Sequence, residues 1–173
     1  MIIVSSLAAA QTLVTGHGVE RVVSLLGPDT PHRGFEGVRP ANHLKLTFHD
    51  IVAHTPGFVP PRYQDTQRLI GFLEDWDRRA PMLIHCWAGI SRSTAAAYTA
   101  LCLLQPSRDE EELAWELREA SPSATPNRLI VAQADDALNR GGRMVHAVEE
   151  IGRGADAFEG VPFSLNLPSV VRT

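Results

Sequence analysis

The sequence predicts an α/β fold with a central, mostly parallel β-sheet flanked by helices. Three observations predict it. Short β-branched or apolar runs, typical of strands, recur along the chain, and segments with helical spacing lie between them. Loops rich in glycine and proline separate the predicted strands from the predicted helices. The 173 residues are enough for one domain with a buried core. We predict one domain over residues 1–151 and assign no structure to a tail at 152–173, which has no regular period.

Four short apolar runs predict the strands of the sheet. They are residues 1–4, RVVSLL at 21–26, HLKLTF at 43–48 and MLIH at 82–85. Aliphatic and β-branched residues dominate these runs, as is typical of buried strands.

Apolar residues at helical spacing predict the helices. Ser5 or Ser6 can cap the first helix, which Gly16 would end. Trp76 and Trp115 are expected to be core residues of amphipathic helices. The other predicted helices span residues 62–79, 91–105, 109–120, 126–138 and a last stretch that ends at Ile151.

Composition and charge exclude several classes of function. A net charge of −4 gives no reason to expect a nucleic acid or an anionic membrane as partner. The chain has no apolar run of about 18 residues and no positively charged leader, so we expect no membrane span and no signal peptide. Cys86 and Cys102 are the only cysteines, which fits a cytoplasmic protein without a disulfide framework. We predict no metal and no cofactor.

The stretch MLIHCWAGISRSTAAA at residues 82–97 has the clearest chemical signal. A buried strand ends at His85 and Cys86, a tight turn follows, and Arg92 and Ser93 begin a helix. Amide groups in such a turn, together with a helix N-terminus, bind a phosphate-like anion and stabilise a thiolate. The Arg92 guanidinium can bind two phosphate oxygens, and Ser93 can donate a hydrogen bond to the sulfur.

The interior of this turn is expected to bind phosphate through its main chain. The phosphate-binding residues predicted are Trp87, Ala88, Gly89, Ile90, Ser91 and Arg92. Gly89 is expected to let the backbone approach the ligand where a Cβ would obstruct it. His85 is expected to hold the backbone and the surroundings of Cys86 in place rather than to donate a proton.

His85 and Cys86, followed by five residues and then Arg92 and Ser93, resemble the signature loop of the cysteine-dependent protein tyrosine phosphatase superfamily. The spacing argues against rhodanese-type sulfurtransferases, and the mid-chain position argues against low-molecular-weight phosphatases. The compact chain is similar to the dual-specificity-like branch, in a bacterial-type variant. The resemblance implies a phosphatase-like fold with the loop between a core strand and a helix, and residues 1–151 as a single catalytic domain.

The resemblance also implies a general acid on a loop that follows a strand upstream of the cysteine. Asp50, at the end of HLKLTF, matches this position and would protonate the leaving oxygen and later activate water. Asp29 is the competitor, although a role as a turn residue is expected for it. Asn127 and Gln133 loosely resemble the family's segment after the signature helix, and Gln133 would orient the water or help to fix the loop.

The expected activity is hydrolysis of phosphate monoesters through a phosphocysteine on Cys86. The expected substrate is a phosphorylated protein or a small phosphomonoester, with phosphotyrosine first and phosphoserine or phosphothreonine as further substrates. Phosphoinositide-directed relatives tend to carry lysines inside the loop, and this loop has none. The alternative is a catalytically silent module with a phosphatase fold that binds phosphorylated or anionic partners. Every catalytic position is filled, which favours the enzyme.

Overall fold

A computed structural model describes residues 1–168, which form a five-stranded sheet with one helix on one face and five on the other. The strands are β1 (Ile2–Ser5), β2 (Arg21–Leu26), β3 (His43–Thr47), β4 (Met82–His85) and β5 (Phe163–Leu165). The helices are α1 (Leu7–His17), α2 (Tyr63–Glu74), α3 (Arg92–Leu104), α4 (Glu110–Ala120), α5 (Arg128–Ala137) and α6 (Arg143–Ile151), and a short 3₁₀ turn spans Pro40–Asn42. Within the described residues, no helix is long and apolar enough to cross a membrane.

The strand order across the sheet is β3-β2-β4-β1-β5. The first four strands are parallel, and β5 runs antiparallel to β1. The predicted α/β class with a mostly parallel sheet is therefore confirmed. His85, the last residue of β4, lies between Ser24 of β2 and Ser5 of β1, so the chain leaves the sheet at its carboxyl edge between two parallel strands. Ligands of open α/β sheets bind at this edge.

The core has two parts because side chains alternate across each strand. Ile2 and Val4 point to the larger part, which helices α2 to α6 cover, whereas Ile3 packs on α1. Helix α3 is buried along most of its length in the larger part. The small side chains of its Ala95–Ala97 run let it lie close to the sheet.

Two predicted helix ends differ from the structure. Helix α1 continues past Gly16 and ends at His17. Gly18 is its C-cap, with a positive φ of 61° in the left-handed region. Helix α2 ends at Glu74 rather than at residue 79, because the chain turns there to bring Trp76 into the core. Ser6 is the residue that caps α1, and its hydroxyl accepts from the Ala9 amide at 3.4 Å.

The prediction for the two tryptophans is correct for one and wrong for the other. Trp76 is only 5% exposed, and its indole N–H donates to the Ala80 carbonyl at 3.1 Å. Trp115 is 45% exposed, because Leu113, Ala114 and Leu117 form the buried face of α4 and Trp115 lies on the opposite side.

The tail, to which the sequence assigns no structure, contributes the fifth strand. Phe163 pairs with Val4 and Leu165 with Ile2. The preceding chain, residues 152–162, passes beside the turn that follows β4. The contacts that attach it to the sheet and to the signature loop are with residues remote in sequence, so no local period predicts them. Residues 169–173 of the tail lie outside the described residues.

Candidate active site

The turn that joins β4 to α3, residues 86–92, is called the signature loop below. Four of its carbonyl groups are turned outward by main-chain amides from three separate parts of the chain. These contacts are Leu7 N to Trp87 O at 3.1 Å, Gly160 N to Ala88 O at 2.8 Å, Thr125 N to Ile90 O at 2.9 Å and Asn127 N to Ser91 O at 3.2 Å. A trans peptide group points its N–H opposite to its C=O. The loop amides are therefore turned inward, as an anion-binding nest requires.

Cys86 lies at the inner side of this nest. The Gly89 amide donates to the Cys86 Sγ at 3.2 Å, and the Ser93 Oγ lies 3.1 Å from the same sulfur. The side chain is buried, next to the first turn of α3. The sulfur is thus surrounded by hydrogen-bond donors and a helix N-terminus, both of which stabilise a negative charge.

Arg92 lies beside the loop with its guanidinium fixed. It is 8% exposed, and its Nη1 donates to the Phe48 carbonyl, just beyond β3, at 3.0 Å. Its buried Nε has no hydrogen-bond partner among the described residues. A buried donor of this kind is costly unless something accepts from it, and this N–H is therefore free to bind an acceptor.

His85 holds the main chain of Cys86 in place. Its Nδ1 lies 3.2 Å from the Cys86 carbonyl oxygen, and its Nε2 lies 2.6 Å from the Ser24 Oγ. The same hydroxyl is 2.7 Å from the His43 Nε2. Burial lowers the pKa of His85 and of His43 to about 4 each, so both rings are neutral at neutral pH. The three contacts can form one chain of hydrogen bonds: the His43 ring donates to the Ser24 hydroxyl, this hydroxyl donates to the His85 Nε2, and the His85 Nδ1 donates to the Cys86 carbonyl.

The reason for Gly89 differs from the one expected. Its φ of 75° lies in the left-handed region, and a Cβ there would lie 2.7 Å from Ser5 C and from Ser6 N. The glycine is needed because the signature loop packs directly against the backbone between β1 and α1. The expected obstruction of the ligand is not what the geometry shows.

Asp50 lies at the edge of the signature loop. Its Oδ1 accepts from the Ser91 hydroxyl at 2.7 Å and from the Asn127 Nδ2 at 2.8 Å. No hydrogen bond within residues 1–168 involves its Oδ2. Asn127 also caps α5, since its Oδ1 accepts from the amides of Leu129 and Ile130. One asparagine therefore links the acid, the signature loop and a helix N-terminus.

Gln133 lies beneath the loop that follows Asp50. Its Nε2 donates to the Pro61 carbonyl at 3.0 Å, and its Oε1 accepts from the Thr66 hydroxyl at 2.7 Å. These contacts support the loop-fixing role rather than the water-orienting role. Asn127, which the sequence marks only as a loose match, is the amide that contacts Asp50 directly.

Asp29 is closer to the site than its sequence position suggests. Its exposed carboxylate lies 3.7 Å from the His49 Nε2, and His49 directly precedes Asp50. The His49 Nδ1 accepts from the Val59 amide at 2.8 Å. This hydrogen bond closes the loop that carries Asp50 (residues 49–59), which is called the acid loop below. Asp29 thus contacts the base of the acid loop, whereas Asp50 contacts the signature loop.

Comparisons of the whole chain with known proteins give a clear result only for structure. No protein-family model matches the chain. No curated protein matches it. Among solved structures, the Yvh1 phosphatase domain from Chaetomium thermophilum has a TM-score of 0.62 at 19% identity, with 83% of this chain and 93% of that one covered.

Two further solved structures have the same fold. Human DUSP28 has a TM-score of 0.60 at 19% identity, with 80% of this chain and 88% of that one covered. PTPMT1 in complex with PI(5)P has a TM-score of 0.59 at 14% identity, with 81% and 91% covered. The chain has the fold of the dual-specificity phosphatases of the protein tyrosine phosphatase superfamily.

Proposed function

We propose that this chain is a cysteine-dependent phosphatase that hydrolyses phosphate monoesters through a phosphocysteine on Cys86. One observation carries the proposal: the Cys86 sulfur lies at a turn whose amides face inward, and it accepts a hydrogen bond from the Gly89 amide at 3.2 Å. Such a collar fits both a thiolate and the equatorial oxygens of a phosphoryl group.

In the first step, the Cys86 sulfur attacks phosphorus, the S–P bond forms, and the P–O bond to the leaving group breaks. The proton on Asp50 Oδ2 passes to the leaving oxygen, while loop amides and Arg92 stabilise the charge on the transferred group. In the second step, Asp50 takes a proton from water, whose oxygen attacks phosphorus. Phosphate leaves, and the departing sulfur receives a hydrogen bond from Ser93, whose Oγ lies 3.1 Å away.

Phosphotyrosine in proteins is the proposed main substrate, with phosphoserine and phosphothreonine as further ones. Two large apolar side chains are exposed: Phe58 in the acid loop and Trp87 in the signature loop. Such rings suit an aryl group or an apolar peptide better than a highly charged headgroup. The signature loop has no lysine between Cys86 and Arg92, although the neighbour PTPMT1 was solved with a phosphoinositide. A panel of phosphotyrosine, phosphoserine and phosphothreonine peptides with PI(5)P ranks these classes directly.

The test of the reaction is hydrolysis of p-nitrophenyl phosphate in the presence of EDTA. We expect turnover that vanadate blocks, and we expect Cys86→Ser to abolish turnover while still binding vanadate. Cys102→Ala is the matched control, because Cys102 is buried within α3, away from the signature loop, and should leave turnover intact.

Two results separate the proposal from the silent module. Full activity in Cys86→Ser would exclude the covalent mechanism. Vanadate binding without any turnover by the unaltered chain would favour a module that only binds phosphorylated or anionic partners.

A further inference from the structure

The tail forms a segment, here called the C-terminal strap (residues 152–165), that runs from the end of α6 to β5 along the outside of the signature loop. Near its start, the Gly154 amide donates to the Thr125 Oγ1 at 3.1 Å and the Ala155 amide to the Pro122 carbonyl at 2.9 Å. At its end, β5 pairs with β1. Between these two attachments, the strap contacts the loop that holds the nucleophile.

We propose that Gly160 of the C-terminal strap is a positioning residue that aims the Gly89 amide at the Cys86 sulfur. The proposal rests on the proposed function, because it assigns Cys86 the role of nucleophile. Nothing in it requires the strap to touch the substrate.

A single peptide group connects the strap to the sulfur. The Gly160 amide donates to the Ala88 carbonyl oxygen at 2.8 Å. The amide on the other side of that same peptide group belongs to Gly89, and it donates to the Cys86 Sγ at 3.2 Å. Because the C=O and N–H of a trans peptide point in opposite directions, the first contact sets the direction of the second. Consecutive hydrogen bonds through one amide group also strengthen each other.

The close approach of the strap requires a glycine at position 160. A Cβ on Gly160 would lie 2.9 Å from the Gly89 carbonyl oxygen and 3.4 Å from the Ala88 carbonyl oxygen. Both are main-chain atoms of the signature loop, so relief of the contact would move the loop itself.

The residues just before Gly160 hold the strap against the same part of the loop. The Ser6 hydroxyl donates to the Glu159 carboxylate, and the following residue, Leu7, donates its amide to the Trp87 carbonyl. The Phe158 ring packs edge-on against the Trp87 indole, with centroids 5.6 Å apart and planes at 86°. The strap therefore meets three successive residues of the signature loop, starting next to Cys86.

The test is Gly160→Ala in the full chain, with the rate of Cys86 alkylation by iodoacetate measured against pH. Burial raises the pKa of Cys102 to about 12, so alkylation reports on Cys86. Loss or weakening of one hydrogen bond to the thiolate should move the midpoint of the alkylation curve upward by about one pH unit. Turnover of p-nitrophenyl phosphate should fall roughly 10- to 100-fold, mainly in kcat.

Val161→Ala is the matched control, because Val161 is the next residue of the strap, is 80% exposed and makes no main-chain hydrogen bond to the signature loop within residues 1–168. It should keep both the midpoint and the turnover of the unaltered chain. Glu159→Ala is a second variant that loosens the strap without adding atoms, and its midpoint should move in the same direction by a smaller amount. It decides the question if Gly160→Ala does not fold, as judged by circular dichroism.

Each result has one meaning. An unchanged midpoint and kcat in folded Gly160→Ala, or in Glu159→Ala where the first variant does not fold, would overturn the role of the strap. An ordinary thiol curve in the unaltered chain would instead contradict the proposed function. The two failures are therefore distinguishable in one set of measurements.

Discussion

Asp50 has one carboxylate oxygen that accepts two hydrogen bonds and one that accepts none within the described residues. Ser91 and Asn127 both donate to Oδ1, so the carboxylate is held in one orientation. In the proposed mechanism, Oδ2 is the oxygen that would carry the proton for the leaving group. Because Asn127 also caps α5, the orientation of the Asp50 carboxylate depends on a helix end.

Substitution of these two residues should separate acid catalysis from its support. We expect Asp50→Asn to lower kcat by roughly 10²-fold or more with aryl phosphates that have poor leaving groups, and less with p-nitrophenyl phosphate. Asn127→Ala removes one of the two bonds to Oδ1 and should lower kcat by about tenfold, with the same dependence on the leaving group. The measurement is a series of aryl phosphates of graded leaving-group pKa.

The double variant is the control for this prediction. If Asn127 acts through Asp50, Asn127→Ala should add little to the dependence on the leaving group in the Asp50→Asn background. Fully additive effects would contradict a shared role. Thermal unfolding should show that Asn127→Ala costs about 1 kcal/mol as a lost helix cap, which leaves the chain folded.

Among the elements, the signature loop has its shape imposed by its neighbours. Gly89 combines a positive φ with a backbone neighbour 2.7 Å from where a Cβ would lie. Gly37 has a similar φ of 86° but no atom within 4 Å of that position. The two glycines therefore separate the cost of the backbone conformation from the cost of the contact.

We expect Gly37→Ala to lower the free energy of unfolding by about 1 kcal/mol, as left-handed strain alone does. Gly89→Ala should lower it by about 1–3 kcal/mol more, because main-chain atoms of Ser5 and Ser6 must also move. Denaturation with urea measures both changes. If both variants lost the same free energy of unfolding, the backbone between β1 and α1 would move to accommodate the new Cβ without destabilising the fold.

A second element-scale feature is the ion cluster that joins α4 to α6 and to the chain before it. Glu110 is buried, and its carboxylate accepts from Arg140 at 3.0 Å and from Arg143 at 3.0 and 3.1 Å. The hydrogen bond from Arg143 lowers the pKa of Glu110. The cluster therefore links the first turn of α4 to the segment after α5 and to the start of α6.

Glu110→Ala should lower the free energy of unfolding by about 3 kcal/mol, because Arg140 would keep a mostly buried charge without its partner. Glu111→Ala is the control, since Glu111 is exposed on the same turn and should change stability by less than about 0.5 kcal/mol. Urea denaturation at neutral pH measures both. A loss in Glu110→Ala no larger than in the control would show that the cluster does not contribute to stability.

For the whole molecule, neutral imidazoles near the sheet edge make stability depend on pH, above all the buried His85 and the half-buried His43. Burial lowers the pKa of His43 and His85 from 6.5 to about 4 in the folded chain. Between these values the unfolded chain binds more protons than the folded one, so stability falls as pH falls. Glu110 acts in the same direction only below its ordinary pKa of 4.5. Between about pH 6.5 and about pH 4.5, the loss of stability is therefore due to the histidines.

We expect the urea midpoint to drop between about pH 7 and about pH 5, and His43→Gln to make this drop smaller by removing one titrating group. A slope that His43→Gln does not alter would contradict the assignment to this pair.

Much of the fold and part of the site follow from local patterns in the chain. The runs at 21–26 and 82–85 predict β2 and β4, because aliphatic runs of that length bounded by turns have few other solutions. The exposure of Trp115 could not be predicted in the same way. Helical spacing shows which residues share a face of the helix, but not which face packs against the rest of the protein.

The order of strand, turn and helix around Cys86 can be predicted from the sequence, because β-propensity, spacing and the first turn of α3 are local properties of neighbouring residues. The groups that hold that turn in place can be identified only in the folded chain. Asn127 and Gly160 reach it from parts of the chain that are remote in sequence, and Gly160 lies in an irregular segment with no period. Contacts of this kind arise from the way the elements pack, so they appear only once the whole chain is folded.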